Sequence, residues 1–272
     1  AYWRAAAGEF RRLRVLVFAA LICALCVVVG ALFVTVGDNL RIKFTFFFMA
    51  VGSAVYGPLM GLLVGGVSDI LGYLLFPSGA FFPGYTLSSM LGGLIYGLLL
   101  YRKRVTVLRI FLSKFLVNYF VNVFLGCLWS QILYGKGYLY YLSTSLIKNT
   151  LLLPVEVILL SALFAALIPV CARLGLLPGH QKQDLEKLSM GRSAPVVFGL
   201  DCLLGATVSL YYSTTIKKSG LVFQFLSSIR NYNLTMDETI LIFQILAAVL
   251  AAVGAALMIV PPILRSRRGK QA

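Results

Sequence analysis

Asp69 is the side chain whose type and position most clearly predict chemistry in this sequence. It lies in the apolar stretch 65–73, seven residues before Phe76, which places it about 10 Å from the end of a helix at the usual rise per residue. A carboxylate inside so apolar a segment must face a cavity or a partner. We interpret Asp69 as a ligand-binding residue, with a hydrogen bond to a serine, asparagine or lysine on another helix as the alternative.

Amide and aromatic side chains form a second pattern that suits a ligand. Asn118 and Asn122 are four residues apart and share one face of a helix. Trp129 follows Asn122 by seven residues and returns to roughly the same face. Two amides and an aromatic ring on one stripe fit a flat heterocycle, and helix packing through asparagines is an equally favoured alternative. Phe82 and Tyr85 fit either a pocket or the aromatic belt of a membrane surface.

The composition shows what kind of structure must position these residues. Of 272 residues, 60% are hydrophobic and 12% are charged, whereas soluble domains are about 45–50% apolar and about 25% charged. The chain is therefore an integral membrane protein, and its long apolar runs predict helices rather than a barrel. The sequence has one histidine, in a polar stretch, and five cysteines in or beside apolar runs. These residues form no catalytic constellation, cofactor motif or metal site in the sequence, so we expect that the protein is not an enzyme.

Eight apolar stretches are predicted as membrane helices of an all-α protein. They cover residues 15–36, 44–56, 58–76, 85–101, 107–134, 146–171, 196–212 and 238–260. The first is too long, and lacks the small-residue exit, for a cleaved signal, so we expect it to be retained. Residues 178–193 are charged and read as a linker between a six-helix membrane domain, 1–177, and a two-helix membrane segment, 194–272.

The basic residues predict the orientation of the chain. If the N-terminus is inside and the helices alternate, sixteen lysines and arginines lie inside and six lie outside. The positive-inside rule then places both termini in the cytoplasm. This distribution also explains the net charge of +15 without a nucleic-acid partner.

One family shares the order and spacing of several motifs. These are the stretch 57–73, Phe76-Pro77-Ser78-Gly79 followed by 82–86, then 93–97, Ile147-Lys148-Asn149 and Pro154-Val155-Glu156. Over residues 14–177 the chain resembles the substrate-binding S components of energy-coupling factor (ECF) vitamin transporters, most of all the folate group. Residues 196–272 have no place in the six-helix pattern of that family.

The resemblance implies a bundle in a bacterial plasma membrane that captures a vitamin near the outer face. The vitamin would lie beneath the loops after the first, third and fifth helices. A T component and a pair of cytoplasmic ATPases would supply the energy. An alanine-x-x-x-alanine face on the first helix would contact the T component, and here Ala20 and Ala24 match it.

The residue chemistry fits a folate. A pterin presents an amino group beside a ring N–H, and the Asp69 carboxylate can accept from both, with Asn118 or Asn122 as a second partner. Aromatic rings can stack on the pterin, and basic residues near the outer surface can pair with the anionic glutamate end. The stacking candidates are Phe82, Tyr85 and Trp129; the basic candidates are Arg41, Lys43 and Lys148; the predicted site also includes Tyr73, Thr86 and Asn149.

Two alternatives to folate capture remain open at this point. The same residues would serve an S component for another vitamin, pterin-like or flavin-like. In a different class, a membrane scaffold or assembly subunit would use its glycine and alanine faces only for packing. Titration with vitamins distinguishes the first alternative, and tolerance of an Asp69 replacement distinguishes the second.

Overall fold

The structure is a computed structural model in which helices dominate. It describes residue 8 and residues 13–35, 41–77, 81–103, 105–135, 138–173, 194–215 and 236–268. The predicted linker, 178–193, lies outside the described residues.

Eight helices account for nearly all of the described chain. They are α1 (Leu13–Ala31), α2 (Phe46–Tyr56), α3 (Pro58–Leu75), α4 (Pro83–Leu100), α5 (Val107–Tyr134), α6 (Tyr138–Arg173), α7 (Ala194–Thr215) and α8 (Met236–Arg268). Within the described residues, four apolar segments are long and apolar enough to cross a membrane, namely Pro58–Leu75, Val107–Tyr134, Ser145–Cys171 and Ile240–Ile259. Val15–Ala31, Phe46–Tyr56 and Pro195–Tyr211 are shorter apolar helices.

The helical class of the fold is confirmed, but the predicted end of the first helix was wrong, and a short two-stranded hairpin follows it. The apolar run 15–36 is not one helix, because α1 ends at Ala31 and strand β1 (Phe33–Thr35) follows. β1 pairs antiparallel with β2 (Arg41–Lys43), with Phe33 opposite Lys43 and Thr35 opposite Arg41. β-branched and aromatic residues such as Phe33, Val34 and Thr35 suit a strand, and a hydropathy profile does not separate them from the helix before them.

Successive helices of the bundle run antiparallel. Phe18 of α1 contacts Tyr56 of α2, Tyr85 of α4 contacts Ser130 of α5, and Lys114 of α5 contacts Glu156 of α6. The α1–α2, α3–α4 and α5–α6 connections therefore lie at one end of the bundle, which we call the loop end.

Glycines let α3 and α4 approach each other closely. A Cβ atom on Gly61 would meet the backbone of Gly93, and one on Gly97 would meet the backbone of Pro58. Gly65 lies equally close to the backbone of Ser89. Gly61 and Gly65 therefore serve the packing of α3 against α4, because any side chain at these positions would push the helices apart.

Gly57 fixes the angle between α2 and α3. Its φ of 97° is in the left-handed region, which favours glycine. Pro58 then occupies the first turn of α3, where the missing proline N–H costs nothing. Gly57 alone thus connects α2 to α3, at the end of the bundle opposite the loop end.

The middle of α5 departs from α-helical geometry. Val117–Leu125 forms a π-helix between the α-helical segments Val107–Leu116 and Gly126–Tyr134. A π-helix has more residues per turn, and such segments are frequent at functional sites. The change in pitch alters which side chains of α5 share a face.

The C-terminal helices form an antiparallel hairpin that packs on the bundle. Gly199 of α7 meets Gly254 and Met258 of α8. α7 also packs against α6 and α5, and Phe198 contacts the main hydrophobic core. α1, by contrast, packs against α2 and α3.

Candidate ligand-binding site

An aromatic cluster forms at the loop end between the start of α4 and the end of α5. The Phe82 ring lies 5.7 Å from the Trp129 ring and 6.0 Å from the Tyr85 ring, between centroids. The Trp129 indole donates a hydrogen bond to Ser88 Oγ at 2.9 Å. The Tyr85 hydroxyl lies 3.2 Å from Ser130 Oγ. All three rings are half-buried, so they offer apolar faces beside fixed polar atoms.

Gly84 makes this cluster possible. A Cβ atom at residue 84 would run into both the Phe82 and the Trp129 ring. Gly84 follows Pro83 in the first turn of α4, so the Pro-Gly pair both begins the helix and leaves room for the rings.

Asp69 links α3 to α4 near this cluster. Thr86 Oγ1 donates to Asp69 Oδ2 at 2.8 Å, and Ser89 Oγ donates to Asp69 Oδ1 at 3.3 Å. The interhelical hydrogen bond that the sequence left as an alternative is therefore present. A carboxylate accepts about four hydrogen bonds, and Asp69 is half-buried rather than buried, so it keeps acceptor capacity for a ligand.

Three asparagines join α5 and α6 in one amide network. Asn118 Nδ2 donates to the Asn149 carbonyl oxygen at 3.3 Å. Asn122 Nδ2 donates to Asn118 Oδ1 at 3.3 Å and to Asn149 Oδ1 at 3.4 Å. Asn118 and Asn149 are buried and Asn122 is exposed, so Asn122 is the member with free access to a ligand.

A buried ion pair anchors this network. Lys114 Nζ lies 3.1 Å from Glu156 Oε1, with exposed fractions of 2% and 14% for the two side chains. Asn118 Nδ2 donates to Glu156 Oε2 at 2.7 Å. Lys114 Nζ also lies 3.5 Å from the centre of the Phe46 ring at the start of α2. The polar residues of α5 therefore follow one another from Lys114 to Asn122, over about 12 Å of helix.

The remaining predicted residues are less closely connected. Arg41 and Lys43 lie in β2, and their side chains are outside the described part of the protein. Lys148 is half-buried in α6. Tyr73 is half-buried and packs against Phe81, with centroids 5.1 Å apart.

The predicted common face of Trp129 and the asparagines was wrong. Trp129 contacts Ser88 and Phe82, whereas Asn118 and Asn122 contact Asn149. The π-helix contains both asparagines and ends at Leu125, so it changes the helical repeat on which the seven-residue spacing to Trp129 relied. The candidate site thus has two parts, an aromatic cluster with Asp69 at the α3–α5 side and an amide network at the α5–α6 side.

Sequence reasoning missed several residues that hold the site. Ser88, Ser89 and Ser130 are hydroxyl partners, and serines are too common in the sequence to signal this. Lys114 carried a usable signal, because a lysine within an apolar span requires a partner. Glu156 is the acid in the neighbouring span that supplies it.

The structure leaves the Ala20–Ala24 face of α1 uncovered. Both alanines are exposed, as are Leu16, Val17 and Leu21 around them. The face is apolar.

Comparison with known proteins identifies the bundle. Residues 12–176 match the family model described as "ECF-type riboflavin transporter, S component". The "Folate transporter FolT" of Clostridium novyi (strain NT) is 39% identical over 121 residues, which are 44% of this chain and 70% of that protein. The "Folate transporter FolT" of Leuconostoc mesenteroides subsp. mesenteroides is 30% identical over 151 residues, which are 53% of this chain and 80% of that protein.

A solved structure shares the fold as well as the sequence. The "Crystal structure of FolT bound with folic acid" aligns with a TM-score of 0.52 and 31% identity. The alignment covers 55% of this chain and 91% of that one. The family match covers more than half of the chain and contains both parts of the candidate site, and α7 and α8 lie beyond it. The chain belongs to the family of ECF-type transporter S components.

Proposed function

We propose that this protein is the folate-binding S subunit of an ECF-type importer. The observation that carries the proposal is the site itself. A half-buried carboxylate, Asp69 of α3, accepts a hydrogen bond from Thr86, the residue that follows Tyr85 of the aromatic cluster, and both lie within the segment that matches the S-component family model. A pterin needs both features, a carboxylate for its adjacent N–H groups and rings on which to stack.

Each group of residues in the site is assigned to one part of the folate molecule. The Asp69 carboxylate accepts from the pterin, and Trp129, Phe82 or Tyr85 stacks on it. Asn122, or Asn118 behind it, supplies a second polar partner. Arg41, Lys43 and Lys148 pair with the glutamate carboxylates. Arg41 and Lys43 lie in the α1–α2 connection and Lys148 lies in α6 after the α5–α6 connection, and an anion from outside would arrive at this loop end. Tyr73, Thr86 and Asn149 complete the wall of the site.

The architecture is six helices for capture and two appended helices. Residues 1–177 form the S-component domain, 178–193 link the domains, and 194–272 add a hairpin. The match to the family model ends at residue 176, which supports this division. The bias of lysines and arginines supports a plasma-membrane protein with both termini in the cytoplasm and the loop end outside.

Delivery requires partners, which family membership supports. A T component and two ATPases would take up the loaded subunit, with Ala20 and Ala24 as the contact on α1. Both alanines are exposed and the C-terminal hairpin packs elsewhere, so the face is available.

Quenching of tryptophan fluorescence by folate tests the capture role. A pterin stacked near Trp129 quenches its emission, so folate should quench saturably in the parent protein and much less in Trp129→Phe. Asp69→Asn should weaken binding by about 10- to 100-fold, because a hydrogen bond to a charged group contributes about 1.5–3 kcal/mol. Asp237→Asn is the matched control, since Asp237 is exposed on α8. If Asp69→Asn binds folate as tightly as Asp237→Asn, Asp69 is not the pterin partner.

A second candidate is an S component for riboflavin. The description of the matching family model favours it, and a flavin is also a flat heterocycle that aromatic rings can stack on. Saturable binding of riboflavin without binding of folate would show that the protein is a riboflavin-binding S component instead.

A further inference from the structure

Asn122 of α5 ends a chain of hydrogen bonds that begins at the buried ion pair. Glu156 Oε1 accepts from Lys114 Nζ at 3.1 Å, and Glu156 Oε2 accepts from Asn118 Nδ2 at 2.7 Å. A carboxylate paired with an ammonium group can only accept, so Asn118 must turn its nitrogen toward it. The same nitrogen donates to the backbone oxygen of Asn149 at 3.3 Å. Both hydrogens of the Asn118 amide are therefore committed.

The fixed amide of Asn118 determines how Asn122 is turned. Asn122 Nδ2 donates to Asn118 Oδ1 at 3.3 Å and to Asn149 Oδ1 at 3.4 Å. Asn149 is held in this orientation because its own Nδ2 donates to the backbone oxygen of Ser145 at 2.8 Å. Both hydrogens of the Asn122 amide are thus used inside the network. The atom that Asn122 offers to a ligand is its oxygen, which can only accept a hydrogen bond.

Asn122 lies at about the depth of Asp69 in the bundle. Both can be located along α4, which α3 and α5 both contact. Asp69 of α3 accepts from Ser89 of α4. Asn122 lies between two α5 residues that contact positions 88 and 92 of α4, namely Trp129 and Val117. Because Asn122 is exposed and Asp69 half-buried, acceptor oxygens from α3 and α5 can reach the same ligand.

The pterin of folate needs one acceptor more than Asp69 supplies. It carries three N–H hydrogens, two on its 2-amino group and one on the adjacent ring nitrogen. The proposed contact with Asp69 uses the ring N–H and the amino hydrogen beside it. The second amino hydrogen points away from that carboxylate, and a buried donor without a partner weakens binding. A flavin presents a different edge, with a single ring N–H between two carbonyl oxygens.

We propose that Glu156 is a positioning residue that fixes Asn122 as an acceptor, and that Asn122 Oδ1 takes the second amino hydrogen of the pterin. This inference rests on the proposed folate-binding function. Asn122 then determines specificity, because its oxygen would repel a flavin carbonyl oxygen at the same position. Glu156 acts through Asn118 and does not contact the ligand itself.

The affinities for two matched ligands test the contact at Asn122. The ligands are folate and a folate analogue that lacks the 2-amino group, and equilibrium binding to the purified full chain is measured for each. The parent protein should prefer folate. Asn122→Leu should reduce that preference by about 2- to 12-fold, the contribution of one hydrogen bond, since only folate loses a contact. A steric effect of leucine would weaken both ligands alike and leave the ratio of affinities unchanged.

Glu156→Gln tests the role of Glu156 without changing a residue at the ligand. The new amide turns its oxygen to Lys114, so its nitrogen meets the nitrogen of Asn118 and the order of the amides is lost. The preference for folate should then fall by at least about 2-fold. Ser113→Ala is the matched control, because Ser113 is buried next to Lys114 and its hydroxyl donates to the Ile110 carbonyl of the same helix. This control should keep the preference.

A double variant separates the order of the amides from a general loss of structure. In Lys114→Met/Glu156→Gln no ammonium group competes for the oxygen of the new amide, which can turn it to Asn118. The preference for folate should therefore return toward that of the parent. If Glu156→Gln does not fold, Asn118→Leu interrupts the same chain of hydrogen bonds and is measured in its place.

Three results would overturn the inference in a protein that binds folate. They are a parental ratio of affinities in Asn122→Leu, a parental ratio in the variant that interrupts the chain, and an equal loss of preference in Ser113→Ala. Failure of the parent protein to bind folate would instead contradict the proposed function, so the two failures are distinguishable.

Discussion

Lys114→Met should destabilise the protein strongly because it leaves Glu156 without its cation. The two charges are 3.1 Å apart, and both side chains are largely shielded from solvent. Breaking a buried pair by removing one partner costs about 3–5 kcal/mol, since the other charge stays buried. For a chain of this size 1 kcal/mol shifts the unfolding midpoint by about 2–4 °C. The expected decrease is therefore about 6–20 °C.

Thermal unfolding in detergent measures this effect, and a double variant isolates its cause. Lys114→Met/Glu156→Gln removes both charges but keeps an acceptor for Asn118, so it should recover most of the lost stability. Lys103→Met is the control, because Lys103 is exposed and its ammonium bonds only to a backbone oxygen in this structure's described residues. Equal decreases of the midpoint in Lys114→Met and Lys103→Met would refute the stabilising role of the ion pair. A decrease in the double variant as large as those of the two single variants combined would refute it as well.

Two other substitutions test the packing and the proposed partner face. Gly93→Leu should force α3 and α4 apart and lower the unfolding midpoint by several degrees, because the new side chain would meet the Gly61 backbone. Gly72 has open space around it, so Gly72→Leu should change the midpoint little. Equal decreases of the midpoint in the two variants would contradict the close approach of α3 and α4. Ala24→Leu should abolish vitamin uptake by whole cells and leave vitamin binding by the purified subunit intact. Ala162→Leu, at an exposed position of α6, is the control and should preserve uptake. Normal uptake by cells with Ala24→Leu would refute the proposed contact on α1.

Hydropathy predicted where the helices lie, because burial in lipid demands long apolar segments whatever the neighbours are. It did not predict where helices end. Residues 138–145 are polar and aromatic, so the predicted span began at residue 146, yet the helix begins at Tyr138. The pairing of Phe33 with Lys43 is a contact between segments, which the local pattern does not contain.

The sequence predicted which residue types lie at the candidate site better than it predicted which residues they contact. A carboxylate in an apolar span must have a partner or a ligand, and Asp69 does lie at the junction of α3 and α4. Which hydroxyls meet it depends on the register of two helices, and that register is set by Gly61 and Gly93. Trp129 was placed on the wrong face because a π-helix cannot be read from spacing that assumes an α-helix.

Equilibrium binding of folate and riboflavin to the purified protein shows whether it is a folate-binding subunit. We expect folate to bind tightly and saturably at about one molecule per chain, and an excess of riboflavin not to displace it. Tight binding of riboflavin that folate fails to compete with would contradict the assignment of the site. Binding of neither vitamin to well-folded protein would contradict a capture role and favour a scaffold function.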